Sequence, residues 1–410
     1  MTVTQSPADL DPRLLVDEQG LKGYVTAFKR RITGGELGAL PVVIGLVVIW
    51  LTFYLKENRF LSAENLSNLS LQMCATGLIS VGIVLVLLLG EVDLSVGSVS
   101  GLTSAIMATQ IVRHHHGQYL AMGIALVAGA AIGAFHGAVF SKFGVPSFVV
   151  TLAGLIAWQG AQLRVLGADG TVTLPAGPVQ SLTSAFYPHA TGWVLAVLAI
   201  AGYAAAQLFE VRSRTRAGLR PRPLVEIVFR VLVVAAALAV TVSVLNRYRG
   251  VPFGLVLFVV VVVAFDLVIR RTRYGRHVLA VGGNIEAARR AGISVSFIRI
   301  SVFALAGLMA AAGGLVAASF IQSVSQASGG SDTLLNAIAA AVIGGTSLFG
   351  GRGSAYSALL GILVIESIAN GMALLGLESS TQFMITGAVL LAAVTIDALG
   401  RRGRAASGRG

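Results

Sequence analysis

The chain has 410 residues, of which 55% are hydrophobic and only 12% charged, with a formal net charge of +12. That balance excludes an ordinary soluble domain and points to an integral membrane protein. The positive charge does not argue for a nucleic-acid partner, because the basic residues fall between apolar runs too long for a soluble core.

Residues 1–37 form a polar tail of mixed charge. They lack the n-region and cleavage pattern of a secretory signal, so the first apolar run is expected to be a retained anchor. Hydropathy then predicts twelve apolar segments of helical length or near it. The first six are Gly38–Leu55, Met73–Leu89, Leu94–Val112, Tyr119–Phe140, Val145–Gly160 and Trp193–Phe209. The second six are Ile227–Leu245, Pro252–Ile269, Phe297–Phe320, Leu334–Leu348, Ala355–Leu375 and Phe383–Leu399. Leu334–Leu348 is short for a full span, and Leu94–Val112 begins on polar and glycine residues, so either could be broken or re-entrant. The predicted fold is therefore all-α: a polytopic transmembrane helix bundle of 10–12 membrane segments over residues 38–399.

The basic residues test this alternation. With the N-terminus placed in the cytoplasm, 24 of the 30 Lys and Arg residues fall on the cytoplasmic side. The other 6 are Lys56, Arg59, Arg113, Arg164, Arg247 and Arg249. A frame error would blur that split. Both tails, 1–37 and 400–410, are thus expected in the cytoplasm together with the loop at 274–296.

Cys74 is the sole cysteine, so no intrachain disulfide forms, and its apolar surroundings suggest a packing role. Gly90–Gly101 reads GEVDLSVGSVSG. Glu91 and Asp93 occupy a tight turn, Asp93 is placed to cap the next helix, and Gly97 and Gly101 form a GxxxG pair that lets helices approach closely. This turn is a candidate hinge or gate, with a capped, closely packed turn as the plainer reading. His114, His115 and His116 share no helix face and match no standard metal spacing, so they read as a polar loop tip and no metal site is expected. Gly129, Gly133 and Gly137 repeat the small-residue spacing beside His136, a candidate for the translocation path or, more simply, a packed histidine. TVTLPAGPV, in the long outward loop 161–192, has the turn chemistry of an ordered surface loop. Glu210–Arg222 is Arg- and Pro-rich, which suits anionic lipid headgroups but is already explained by topology. Asp266 falls near the cytoplasmic end of its span, within reach of water.

The stretch 274–300 is the longest polar interruption in the second half. Its middle predicts a short surface helix. Asn284 is a good N-cap, Glu286 falls in the first turn, Arg289 and Arg290 fall in the last, and Gly292 supplies a left-handed stop. Ala287, Ala288 and Ala291 are small enough to admit a partner's backbone. A two-turn helix is marginal alone, and it makes sense as a peg for another protein's groove. Further on, Gly344–Gly345, Gly350–Gly351 and Gly353 make a pliant turn, and Gly350 and Gly351 join the hinge candidates. No phosphate loop follows, since the only lysines are at 22, 29, 56 and 142. Glu366, mid-span, is the best candidate for a buried functional carboxylate. A faint echo pairs LLLGEVDLSVGS with LFGGRGSAYS, which would be a same-direction duplication.

Five stretches, Gly90–Leu102, His136–Gly154, Tyr274–Ile293, Asn336–Ser354 and Asn370–Leu399, together resemble the membrane permeases of bacterial ABC sugar importers. The resemblance is to the ribose, xylose and arabinose group, and within it to the xylose-type members, whose extra helical pair matches 210–269. It implies a homodimer or paired permease in the bacterial inner membrane. Two ATP-binding subunits would dock on the cytoplasmic side, and an extracellular or periplasmic binding protein would deliver the sugar. It implies no cofactor on this chain, with ATP held by the partner subunits. It also implies that Asn284–Gly292 is the helix coupled to the ATPase, with Glu286, Ala287 and Gly292 on the matching positions. A proton-coupled secondary transporter using Glu366 or His136 is the runner-up. A membrane enzyme ranks last, since no nucleophile, acid–base pair or metal constellation is clustered.

Overall fold

The computed structural model describes residues 40–216, 223–378, 380–389, 391, 392 and 395. The tails at 1–37 and 400–410, the 217–222 part of the Arg- and Pro-rich segment, and most of 390–399 lie outside the described residues. Helices dominate. In chain order they are α1 (Leu40–Lys56), α2 (Ala63–Leu88), α3 (Val96–Val112), α4 (Gln118–Phe143) and α5 (Ser147–Leu166). Next come α6 (Pro178–Ser184), α7 (His189–Arg216), α8 (Leu224–Leu245) and α9 (Phe253–Arg271). The last are α10 (Arg273–Gly283), α11 (Ile285–Arg290), α12 (Val295–Ile321), α13 (Ser331–Ile343) and α14 (Ala355–Leu374), before a helical stretch at 380–389. Among the described residues eight helices are long and apolar enough to cross a membrane, and α1, α3 and α13 are apolar but shorter.

The core forms around α2 and α12, of 26 and 27 residues, which run antiparallel. Small residues bring their backbones together: a β-carbon at Gly82 would stand 3.0 Å from Ala306 Cα. The Gly129, Gly133 and Gly137 stripe of α4 does the same against Gly307, Phe303 and Ile300 of α12. Small-residue seams of this kind replace the hydrophobic effect as the source of helix contact in lipid. At the periphery, α7 and α8 leave most side chains exposed, as expected of a lipid-facing pair.

Contacts sort the loops into two ends. At one end, β1 (Thr171–Thr173) pairs antiparallel with β4 (Ser323–Ser325), and β2 (Phe186–Tyr187) with β3 (Val251–Pro252). The predicted ordered loop TVTLPAGPV thus begins as a strand. Arg113 joins this end through bonds to the Val165 and Leu166 carbonyls and an ion pair with Asp169 at 3.1 Å. The other end gathers the turn at 89–95, the α4–α5 turn, α10 and α11, and the glycine turn at 344–354. This partition is the one the charge count requires.

Two short helices break the regular pattern. After α2 the chain runs non-helically from Glu91 to Ser95 before α3 starts, and after α12 it turns at β4 and runs to Gly330 before α13 starts. The C-terminal end of α4 meets the start of α12 at Gly137 and Ile300. In mirrored fashion the C-terminal end of α14 meets the start of α2, where Asn65 and Asn370 exchange amide hydrogen bonds of 2.8 and 3.1 Å. The units α2–α3–α4 and α12–α13–α14 are therefore inverted copies in packing. This corrects the expected same-direction duplication: the counterpart of GEVDLS is the segment before Ser331, not the turn at Gly350. The GxxxG pair is also corrected. Gly97 and Gly101 receive the backbone of Ser328 and Gly329, a loop rather than a helix.

Candidate functional site

The predicted surface helix is α11. The Asn284 side chain accepts the Ala287 N–H at 2.9 Å, Glu286 pairs with Arg289 at 3.0 Å across exposed surface, and Gly292 has φ +78°. Asn284, Glu286, Ala287, Arg289 and Gly292 are exposed, while Ala288 is buried and seats the helix. α10, which no predicted element covers, carries α11 on its apolar face. Val278 and Val281 are buried, and the Tyr274 hydroxyl lies 2.9 Å from Ser301 Oγ on α12. Burial pushes the Tyr274 phenol above its ordinary range.

Three of the hinge candidates converge beneath this platform. Gly351 donates its N–H to the Leu88 carbonyl at 2.9 Å, and Gly282 of α10 lies so close to that carbonyl that a methyl group would overlap it. A β-carbon at Gly350 would stand 2.6 Å from the Gly282 oxygen and 2.9 Å from Gly90 N. Glu91, next in sequence, accepts the Ser147 hydroxyl at 2.7 Å and pairs with Arg299 of α12 at 3.5 Å. The Arg299 guanidinium in turn lies 4.2 Å from the centre of the Phe140 ring. Thus α10, which carries α11, forms one contact node with the turn after α2 and the turn before α14. Nothing local in the sequence announced Arg299 as part of it.

Asp93 lies deeper and does not cap α3 directly. Ser95 holds the N-cap position, and Asp93 Oδ1 accepts its N–H at 2.8 Å and its hydroxyl at 2.6 Å. Ser95 Oγ is 3.2 Å from His136 Nδ1, and Trp158 Nε1 donates to His136 Nε2 at 2.9 Å. An indole only donates, so Nε2 accepts and the proton sits on Nδ1, pointing to Ser95. Both ring nitrogens of His136 are thereby occupied. Glu366 is half-buried in mid-α14, away from this cluster. Asp266 is buried and paired with Arg270 at 2.9 Å, rather than open to water. His114, His115 and His116 form an exposed loop tip, where His116 bonds Gln110 at 2.7 Å.

Two cavities were not foreseen. They flank the loop that precedes α13, on the side of α3 that carries Gly97 and Gly101. One, of about 150 Å³, lies between α2, α3, α12 and that loop. The other, of about 140 Å³, lies between α3, α5 and the start of α13. Neither is lined by an ionisable side chain, nor by His136 or Glu366. The hydroxyls at Ser98, Ser100, Thr103 and Ser104 were the available signal.

A long-helix bundle with an exposed, anchored surface helix and a glycine node beneath it is architecture suited to transport. A family model described as the permease component of branched-chain amino acid transport systems matches residues 65–394. The chain belongs to that permease family. The permease is 35% identical over 369 residues to the xylose transport system permease protein XylH of Escherichia coli strain K12, covering 90% of this chain and 93% of that one. It is 34% identical over 358 residues to XylH of Haemophilus influenzae, covering 87% and 95%. It is 32% identical over 371 residues to the ribose import permease protein RbsC of Escherichia coli strain K12, covering 90% and 96%. No solved structure matches the permease.

Proposed function

We propose that the permease is the membrane-spanning, non-catalytic subunit of an ATP-binding-cassette importer in the bacterial inner membrane, carrying a monosaccharide of the pentose class. The relatives named for xylose and ribose support the substrate class. The observation that carries the coupling is α11: a capped, exposed helix on the end richest in Lys and Arg, seated through Ala288 and α10 on the node at Leu88, Gly350 and Glu91. By the positive-inside rule that end, and both termini with it, face the cytoplasm.

Two copies of the permease, or this permease and a similar one, pair with two ATP-binding subunits, which bind and hydrolyse ATP. A separate sugar-binding protein delivers the substrate to the ribbon end. When the ATP-binding subunits close, they move α11. The shift passes through Gly282 to Leu88 and Gly350, and along the start of α12 through Arg299 to Glu91. The starts of α3 and α14 then re-pack, and access alternates between the two sides by rigid-body movement of packed helices.

Reconstitution tests this. The permease with its ATP-binding subunits and binding protein in proteoliposomes is expected to accumulate D-xylose or D-ribose only with ATP. Uptake driven by a pH gradient without those subunits would favour a proton-coupled carrier instead.

A further inference from the structure

Helix α9 carries an exposed stripe that the node does not use. Val260, Ala264 and Leu267 follow one another along one side of the helix, and the same side reaches Arg270 and Arg271 in the last turn. Val260 is 58% exposed and Leu267 51%, so no described residue covers the stripe. It is apolar along the span and cationic at the cytoplasmic end.

Arg270 is held in place. Its Nε donates to Asp266 Oδ1 at 2.9 Å, and the Asp266 side chain is only 10% exposed. The Nη groups of Arg270 have no partner among the described residues. Tyr356, in the first turn of α14, lies within electrostatic reach of Asp266, Arg270 and the Tyr203 phenol of α7. Neither tyrosine hydroxyl bonds a described residue. Arg271 and Arg273 are exposed and have no ion-pair partner among the described residues. The corner between α7, α9 and α14 therefore offers N–H and O–H donors, with positive charge left over once Asp266 has cancelled Arg270.

We propose that this corner binds one anionic phospholipid of the cytoplasmic leaflet. Arg270, Arg271 and the hydroxyls of Tyr203 and Tyr356 hold its phosphodiester, and an acyl chain lies along Leu267, Ala264 and Val260. A guanidinium takes a phosphate on two N–H groups at once, and basic pockets at the cytoplasmic ends of spanning helices suit such headgroups. Asp266 is a positioning group that orients Arg270. Arg271 and Arg273 supply the preference for a headgroup of net negative charge. The apolar stripe directly below the cations argues against a soluble partner, which does not follow α9 into hydrocarbon.

The test titrates the purified full-length permease, in detergent, with phosphatidylglycerol and follows its thermal midpoint. Phosphatidylcholine and inorganic phosphate are the comparisons. Phosphatidylglycerol is expected to raise the midpoint at several-fold lower concentration than phosphatidylcholine, and inorganic phosphate to leave it level. In Arg271→Gln combined with Tyr356→Phe, the concentration giving half the rise is expected to increase about fivefold or more, as loss of one cation near a headgroup implies. Arg164→Gln, at the ribbon end, is expected to leave it unchanged. Should the double variant fail to assemble, Arg271→Gln alone carries the comparison. A phosphatidylglycerol bearing a photoactivatable acyl chain is expected to label the 253–271 segment of the parent, and to label it less in the variant. Equal response to the two lipids, an unshifted titration in the variant, or labelling confined to other segments would overturn the site. An equal rise with inorganic phosphate would overturn the assignment to a lipid.

Discussion

Arg299 Nη2 stands 3.5 Å from Glu91 Oε1, joining the first turns of α12 to the turn that precedes α3. Both side chains are largely withdrawn from solvent, at 15% and 18% exposure. Ser147 satisfies Glu91 from a third side, and Phe140 stacks under the guanidinium. Removing one member of such a pair strands the other charge, at roughly 3–5 kcal/mol. Arg299→Met is therefore expected to lower the thermal midpoint of the purified permease and to abolish ATP-driven uptake. Arg299→Lys keeps the charge but loses the flat stacking surface, and is expected to fall between the two. The double variant with Glu91→Gln should be more stable than Arg299→Met alone. Additive losses in the double variant would show that the two groups do not act as a pair.

Adjacent glycines in α10 give a sharper contrast. A methyl at Gly282 would overlap the Leu88 carbonyl and approach Gly351 N to 2.9 Å, whereas one at Gly283 would meet nothing within 4 Å. Overpacking costs about 1–3 kcal/mol, while Gly to Ala in an open helical site gains about 0.5–1 kcal/mol. Gly282→Ala is expected to lower the thermal midpoint and cut uptake, and Gly283→Ala to leave the midpoint level or raised. Equal effects from the two substitutions would contradict the tight node.

Trp158→Phe removes the donor to His136 Nε2 and leaves a buried acceptor unmet, at about 1–3 kcal/mol. A lower thermal midpoint is expected, with the pH profile of ATP-driven uptake per folded molecule unchanged. A displaced pH profile would return His136 to candidacy as a proton carrier.

Most of the bundle was legible because lipid demands long apolar runs, and these were read directly as helices. Leu334–Leu348 and Leu94–Val112 stand out by their shortness and polar start, and the helices there, α13 and α3, are among the three shorter apolar helices, α1 being the third. The cap at Asn284 and the stop at Gly292 were legible because both are local backbone chemistry. The Gly97–Gly329 contact was not, since GxxxG states that something comes close without stating what. Arg299 was counted as a topological charge, and its partner at Glu91 is about two hundred residues away in the chain. The inverted packing of α2–α3–α4 on α12–α13–α14 was masked by the stronger but misleading glycine content shared by the turns at Gly90 and Gly350.

Docking at α11 is tested most directly by a photo-crosslinking residue in place of Ala287, with a control in place of His115 at the ribbon end. Both are read in membranes containing the ATP-binding subunits. The expected result is an adduct between position 287 and an ATP-binding subunit, none from position 115, and loss of ATP-driven uptake in Glu286→Arg while the permease stays folded in the membrane. Adducts from 115 but not 287, or normal ATPase binding and uptake by Glu286→Arg, would contradict it.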